Sequence, residues 1–252
     1  MSSILKIQGI DLEYSLVSGG TPGIILLNGF RMPFTSWNSI PGSLGKSATV
    51  LQYNRFGVGK TSSGGFPHTG LKSVEILRAL LDSLGMKPPY VLVAHSLGGL
   101  IANLYTRLYP ETVAGLVFVE ATHRDEKAAQ SEFKPPAILR LISRGLKEIE
   151  KIFDKYKYSE DETYEETVAE IGKHPFFPAI PVRVLSGMQK MPLVPEASFL
   201  THLECQKKLL ELSPLSRQIL AEKSGHFPQI TEPKLVIEAV EEVLELVKKE
   251  HV

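Results

Sequence analysis

The stretch Tyr90-Val91-Leu92-Val93-Ala94-His95-Ser96-Leu97-Gly98-Gly99-Leu100-Ile101-Ala102 decides the fold. It begins as an apolar run too short for a helix and continues as a helical pattern with leucines three and four residues apart. Ser96 lies between the two parts, with Ala94 before it and Gly98 after it. A buried strand that turns sharply into a helix around a serine is called a nucleophile elbow. The tight turn requires small residues on both sides of the serine. The pattern is A-x-S-x-G rather than G-x-S-x-G, and the alternative is a serine at an ordinary strand-to-helix cap.

Short apolar runs alternate with helical patterns along most of the chain. Loose alternation within residues 4–17 predicts a hairpin of two strands, and the runs predict six further strands at 23–27, 48–53, 90–95, 113–119, 182–186 and 216–222. The helical patterns cover residues 71–85, 98–109, 196–212 and the last segment from Glu232 and Pro233 onward. This alternation predicts an α/β fold with an eight-stranded, mostly parallel sheet, helices on both faces and one antiparallel edge.

Residues 125–178 interrupt this alternation. Apolar residues recur at spacings of three and four from Leu139 to Tyr156 and predict a helix with one apolar stripe. Ser159, with Glu162 three residues later, resembles a capping box and predicts the start of a second helix.

This insertion divides the chain into two predicted units. Residues 1–124 and 179–252 form the core, and residues 125–178 form a helical lid over the carboxyl ends of the strands. Open α/β sheets bind their ligands at those ends. The alternative is a pair of solvated surface helices, since charged residues crowd both patterns.

The composition excludes several classes of protein. The 28 basic and 28 acidic residues give a formal net charge of zero, which does not favour nucleic acid or an anionic membrane surface. The single cysteine, Cys205, excludes an intrachain disulfide and a multi-cysteine metal site, and it agrees with a reducing compartment. No apolar run approaches the roughly 18 residues of a membrane span, and we see no signal peptide. We therefore expect a cytoplasmic monomer or homodimer that uses no metal or other cofactor.

Residues that could carry chemistry follow the ends of four predicted strands. Asn28-Gly29-Phe30 follows the third strand, Ser96 the fifth, Glu120 the sixth and His226 the eighth. Because the carboxyl ends of parallel strands meet at one edge of the sheet, we expect these residues to converge. A serine hydroxyl needs a base that takes its proton, and the base needs a third group that orients it.

Four motifs carry a resemblance to a known family. They are Leu26-Leu27-Asn28-Gly29-Phe30, Asn54-Arg55-Phe56-Gly57-Val58-Gly59-Lys60-Thr61, Ala94-His95-Ser96-Leu97-Gly98-Gly99 and Ser224-Gly225-His226-Phe227. Together and in this order they resemble the α/β-hydrolase fold superfamily over essentially the full chain. The resemblance implies that Ser96 is the nucleophile and His226 the general base, in the chain order serine, acid, histidine. It also implies an oxyanion hole formed by the backbone N–H groups of Leu97 and Phe30.

The base and the acid both have alternatives. His123 lies close to the acid position and is the rival base; we interpret the other histidines as surface or packing residues (His68, His95, His174, His202 and His251). Many members of the superfamily place an aspartate after the seventh strand, but residues 186–191 contain no carboxylate. A second arrangement places the acid directly after the sixth strand, which favours Glu120 and leaves Asp125 and Glu196 as alternatives.

The serine at the elbow predicts the class of reaction. Aspartate at that position would suggest a dehalogenase or an epoxide hydrolase, whereas serine with histidine implies acyl transfer through an acyl-enzyme. We expect a small to medium carboxylic ester as substrate and a pocket lined by Met32, Trp37, Leu139, Phe153 and Met188. Alternatives are a lactonase, a thioesterase, a peptidase or a cofactor-free perhydrolase, and a non-catalytic small-molecule receptor or signalling protein on the same fold.

Overall fold

An eight-stranded sheet organises the chain in the computed structural model, which describes residues 2–130, 147, 150–152 and 154–250. The strands are β1 (Ser3–Ile7), β2 (Ile10–Val17), β3 (Gly23–Leu27), β4 (Val50–Tyr53), β5 (Tyr90–His95), β6 (Val113–Val119), β7 (Val182–Gly187) and β8 (Ser216–Ala221). Their order across the sheet is β1-β2-β4-β3-β5-β6-β7-β8. The predicted α/β sheet is therefore confirmed.

The pairing of the strands creates a crevice at the centre of the sheet. β2 pairs antiparallel with β1 and β4, and the pairs from β4 through β8 are parallel. The chain leaves β3 for β4 on one side and then crosses to β5 on the other side of β3. Such a reversal of strand order opens a crevice at the carboxyl ends of the two central strands, where open α/β sheets bind ligands.

Helices cover both faces of the sheet. They are α1 (Pro41–Leu44), α2 (Gly70–Ser83), α3 (Gly98–Leu108), α4 (Glu126–Ala129), α5 (Ser159–Glu162), α6 (Tyr164–Lys173), α7 (Glu196–Lys208), α8 (Pro228–Thr231) and α9 (Pro233–Glu250). The predicted helix over 71–85 corresponds to α2, and the one over 196–212 to α7 with a 3₁₀ turn after it. Among the described residues, no helix is long and apolar enough to cross a membrane.

The core consists of two layers, one on each face of the sheet. Side chains alternate between the two faces of a strand, so Ile25 and Leu27 pack with α2 and α3 while Ile24 and Leu26 pack with α9. β3 and β5 are buried along their whole length, which explains why both read as continuous apolar runs. The two layers enclose the central strands from both faces.

The described part of the insertion packs against the core. α6 lies against α2 and α3, and its Tyr164 and Ile171 join the same apolar layer. The predicted capping box is wrong, because the Ser159 hydroxyl accepts a hydrogen bond from the His68 N–H at 2.8 Å and does not cap a helix. Most of the apolar stripe predicted from Leu139 onward lies outside the described residues, and the division into core and lid stays a prediction.

Candidate active site

Ser96 lies at the sharp turn between β5 and α3. Its φ of 50° is in the left-handed region, which residues other than glycine rarely adopt. A Cβ atom on Gly98 would lie 2.5 Å from the carbonyl oxygen of Asn28, so the turn leaves no room for a side chain there. Ala94, the departure from the common motif, is fully buried in β5, and its methyl group fits within the sheet. The predicted strand, turn and helix are therefore all present around Ser96.

His226 brings an imidazole to Ser96 from the loop between β8 and α8. Its Nε2 atom lies 3.0 Å from Ser96 Oγ, and its Nδ1 atom lies 3.3 Å from Glu120 Oε2. Glu120 directly follows β6, the strand next to β5. The three side chains form one hydrogen-bonded chain across the carboxyl ends of neighbouring strands. Their exposure differs, since the side chain of His226 is 32% exposed and that of Glu120 only 4%.

Glu120 is a buried carboxylate with three hydrogen-bond donors. Oε1 accepts the Gly187 N–H at 2.6 Å, and Oε2 is shared by His226 and, at 2.9 Å, by His202. Burial opposes ionisation of this carboxyl group. Hydrogen bonds from the two histidines, the positive charge of His202 and the Gly187 N–H outweigh burial and lower the pKa of Glu120 to about 2. Glu120 is therefore ionised at neutral pH.

The alternative acids and the rival base lie outside the hydrogen-bonded group of Ser96, His226 and Glu120. The Asp125 side chain is about half exposed, beside His123 and Lys208. Glu196 is exposed at the start of α7. His123 accepts the N–H of Asp125 through Nδ1 at 3.1 Å and makes no hydrogen bond to Ser96 within the described part of the chain. Of the carboxylates considered, it is Glu120 that meets His226.

His202 corrects one interpretation of the sequence. We predicted a surface or packing residue, but its side chain is only 13% exposed and lies between two carboxylates. Nε2 lies 2.9 Å from Glu120 and Nδ1 lies 2.6 Å from Glu126. Burial opposes protonation, but the hydrogen bonds to both carboxylates and their charges raise the pKa of His202 to about 10. No sequence pattern marks this contact, because its partners precede it by 82 and 76 residues.

The two predicted oxyanion-hole residues lie at the same cavity as Ser96. Phe30, in the loop after β3, and Leu97, directly before α3, line the same cavity as Ser96. Among the residues that the structure describes, neither N–H donates a hydrogen bond. The first turn of α3 adds the positive end of its dipole beside Leu97. This arrangement can accept developing negative charge on a substrate oxygen.

Asn28 anchors the loop that carries Phe30. Its side-chain amide donates to the carbonyl oxygen of Tyr53 at 2.9 Å and accepts the indole N–H of Trp37 at 2.9 Å. Trp37 is fully buried in this contact, so its predicted place in a substrate pocket is wrong. An indole with its N–H satisfied inside the core is a packing residue.

Arg55 supports the same loop from the other side. Its guanidinium donates to the carbonyl oxygens of Asn28 at 2.6 Å and Gly29 at 3.1 Å. It also pairs with Glu160 of α5 at 2.5 Å, and both side chains are buried. The insertion is thus tied through one ion pair to the loop that presents the Phe30 N–H.

Two neighbouring cavities open at this edge of the sheet. The one at Ser96 has a volume of about 290 Å³ and is lined by Phe30, Ser96, Leu97, Thr122, Glu126, Lys127, Gln130, Asp161 and Tyr164. The second, of about 190 Å³, is lined by Glu120, Glu126, Gln130, Gln189, Met191, Val194, Ser198, Phe199, His202, Gly225 and His226. Glu126 and Gln130 belong to both walls, so the cavities lie on either side of these residues.

Two further predicted pocket residues, Met32 and Met188, are absent from the walls of these cavities. Both side chains are half-buried and outside both walls, and their assignment to a substrate pocket stays a prediction. Met188 continues the strand pairing beyond β7, because its N–H donates to the carbonyl oxygen of Ala221 at 3.1 Å. Leu139 and Phe153 lie outside the described residues.

Sequence comparisons agree with this fold. The family model for the α/β hydrolase fold matches residues 22–149, just over half of the 252-residue chain. An AB hydrolase superfamily protein from Gibberella zeae is 26% identical, and the match covers 84% of this chain and 83% of the relative.

Solved structures give the same result for the fold. A thermophilic esterase from Thermogutta terrifontis superposes with a TM-score of 0.67 at 19% identity, covering 98% of this chain and 99% of the esterase. Est816, described as an N-acyl homoserine lactone degrading enzyme, superposes with a TM-score of 0.66 at 18% identity, covering 95% of this chain and 99% of Est816. Sequence match, strand order and elbow together show that the chain belongs to the α/β hydrolase fold family.

Proposed function

We propose that this protein is a serine hydrolase that cleaves small to medium carboxylic esters through an acyl-enzyme. The observation that carries the proposal is the 3.0 Å contact between Ser96 Oγ and His226 Nε2. It lies at the wall of a cavity that Phe30 and Leu97 also line, and neither of their N–H groups donates a hydrogen bond within the described residues. A nucleophile, a base and two donors around one space are the groups that acyl transfer requires.

The proposed reaction has two halves. In the first, Ser96 Oγ attacks the ester carbonyl carbon while His226 Nε2 takes the hydroxyl proton, and the Phe30 and Leu97 N–H groups stabilise the oxyanion. The tetrahedral intermediate then breaks its bond to the alcohol, which leaves with the proton from His226. In the second half, water attacks the acyl-enzyme with His226 again as base, releasing the acid and restoring Ser96.

Glu120 is the proposed acid that orients His226. Its Oε2 atom lies 3.3 Å from Nδ1 of His226, which favours the tautomer whose Nε2 can accept the serine proton. Three hydrogen-bond donors outweigh burial and keep the carboxylate ionised and fixed, so it stabilises the imidazolium that forms during each half-reaction.

The cavity supports a small substrate. Its volume of about 290 Å³ lies near the lower limit of pockets for drug-sized ligands, which is about 300 Å³. Apolar Phe30, Leu97 and Tyr164 share the wall with Thr122 and Lys127, so a short acyl chain beside a polar group fits it. Since similar folds include an esterase and a lactone-degrading enzyme, lactones are the second substrate class to test.

Hydrolysis of p-nitrophenyl acetate, butyrate and octanoate by the purified protein tests the proposal, with Ser96→Ala beside it. We expect turnover that is fastest for the short esters and that falls at least about a thousandfold in Ser96→Ala. Equal rates for the two proteins would overturn the assignment of Ser96. If neither protein hydrolysed esters or lactones but the wild type bound a small molecule at this cavity, the receptor alternative would be favoured.

We also propose that the protein works in the cytoplasm, as a monomer or homodimer. Its one cysteine, Cys205, is buried and unpaired, as expected of a chain that does not depend on disulfides. Light scattering on the eluting protein distinguishes the two oligomeric states.

A further inference from the structure

The two ring nitrogens of His202 both face carboxylate oxygens. Nε2 lies 2.9 Å from Oε2 of Glu120, and Nδ1 lies 2.6 Å from Oε1 of Glu126. An ionised carboxylate can only accept hydrogen bonds, whereas a neutral imidazole has one donor and one acceptor nitrogen. Both contacts are satisfied together when both nitrogens donate, so this geometry is that of an imidazolium.

The second carboxylate is itself held in place. Glu126 lies on α4, where its Oε2 atom accepts the His123 N–H at 3.2 Å and its Oε1 atom accepts the Gln130 amide at 3.1 Å. Together with Glu120 it encloses the ring of His202, whose pKa is raised to about 10. The cluster joins three elements, namely the end of β6, α4 and α7.

His226 lies at the edge of this cluster. Its ring centre is 6.3 Å from that of His202 and 4.9 Å from that of His95. It shares the Oε2 atom of Glu120 with His202, and its contact of 3.3 Å is the longer of the two. Burial and the neighbouring His226 lower the pKa of His95 to about 3, so His95 adds no positive charge at neutral pH.

We propose that His202 is a positioning residue that acts on the reaction through Glu120. As an imidazolium held by Glu126, it fixes the Glu120 carboxylate opposite His226 and sets the net charge that His226 faces. This inference rests on the proposed function, because its kinetic effect is read through His226 as general base.

The charge balance gives opposite expectations for two substitutions. Glu120, His202 and Glu126 together carry a net charge of −1 beside His226. His202→Gln leaves two carboxylates and a net charge of −2, which favours the protonated, inactive form of His226. Glu126→Gln leaves one carboxylate and one imidazolium with a net charge of zero, which disfavours that form.

The pH dependence of kcat/KM for a p-nitrophenyl ester tests this directly. The acid limb of the profile should move to higher pH in His202→Gln and to lower pH in Glu126→Gln, by roughly half a pH unit or more. Glu204→Gln is the matched control, since this exposed carboxylate lies on the same helix and pairs with Lys207. It should leave the acid limb where it is in the wild type.

Nuclear magnetic resonance of the histidine rings gives a second readout that needs no turnover. At pH 7.5 we expect both ring nitrogens of His202 to carry protons in the wild type, and His202→Gln assigns the signal. A His202 that loses its proton near the ordinary value of about 6.5 would overturn the proposal.

The kinetic outcomes separate the two proposals. The role of His202 alone would be overturned if Ser96→Ala is inactive but the acid limb does not move in His202→Gln and Glu126→Gln. The same holds if the acid limb shifts in the same direction in both variants. A fully active Ser96→Ala would instead overturn the proposed function.

Discussion

Ser96 and Glu120 share one unusual backbone conformation, with φ values of 50° and 49° at the ends of neighbouring parallel strands. The two turns are joined, because the Thr122 N–H donates to the Ser96 carbonyl at 3.0 Å. A residue other than glycine held in this region costs about 1–3 kcal/mol of folding free energy. The fold therefore holds strained backbone at the two positions where a nucleophile and its acid are proposed.

The strain at Ser96 predicts how two inactive variants differ in stability. Ser96→Gly should be more stable than Ser96→Ala by about 1 kcal/mol, because glycine adopts a positive φ without a Cβ clash. Urea unfolding monitored by circular dichroism measures both. An alanine variant as stable as the glycine variant would show that the turn is relaxed in solution.

The acid assignment predicts a large loss of activity in Glu120→Gln. The amide keeps the shape of the side chain but removes the charge that stabilises the His226 imidazolium, so kcat should fall by about 10⁴-fold. Steady-state hydrolysis of a p-nitrophenyl ester measures this, with near-ultraviolet circular dichroism to verify the fold.

Two further carboxylates supply the controls for this experiment. Asp125→Asn and Glu196→Gln should keep kcat within about twofold of the wild type, since Asp125 is about half exposed, Glu196 is exposed, and neither pairs with His226 among the described residues. If Glu120→Gln were active and Glu196→Gln inactive, the assignment of Glu120 as the acid would be wrong.

The buried ion pair between Arg55 and Glu160 predicts a coupling between stability and activity. Glu160→Gln leaves the buried guanidinium without its counter-charge, so the free energy of unfolding should fall by about 3–5 kcal/mol. Because Arg55 also holds the carbonyls of Asn28 and Gly29, kcat should fall as the Phe30 N–H loses its position.

An exposed ion pair gives the comparison for Glu160. Lys207 and Glu204 form an ion pair in which both side chains are more than half exposed. Glu204→Gln should therefore change the free energy of unfolding by less than about 1 kcal/mol. Equal losses in the two variants would mean that the buried pair does not anchor the insertion.

His202 predicts a loss of stability at alkaline pH. Its pKa is raised in the folded state from 6.5 to about 10, so its contribution to stability is complete below pH 6.5 and disappears as the pH rises toward 10. The free energy of unfolding should therefore decline more steeply between pH 6.5 and 9 in the wild type than in His202→Gln. Urea titrations at these two pH values measure the difference, and parallel declines would refute it.

Much of the fold could be predicted because it depends on local patterns. An alternating hairpin and six apolar runs of strand length, with helical patterns between the runs, specify the layers, and parallel pairing then brings the strand ends to one edge. The convergence of Ser96, Glu120 and His226 follows from this topology, since each residue lies just beyond a strand.

The remaining features of the site depend on contacts between distant segments. His202 meets Glu120 and Glu126 because α7 packs beside the end of β6, and no local period encodes that approach. Arg55 and Glu160 are likewise 105 residues apart. Trp37 was misassigned because an aromatic residue near a predicted active-site loop gives no indication of which way it faces.

The central claim is that Ser96 is the nucleophile, and covalent labelling tests it most directly. The protein is treated with a fluorophosphonate at neutral pH, digested and analysed by mass spectrometry. We predict one adduct, on the peptide containing Ser96, whose formation is lost in Ser96→Ala and slowed in Glu120→Gln. Labelling of a different residue, or undiminished labelling of Ser96→Ala, would contradict the account.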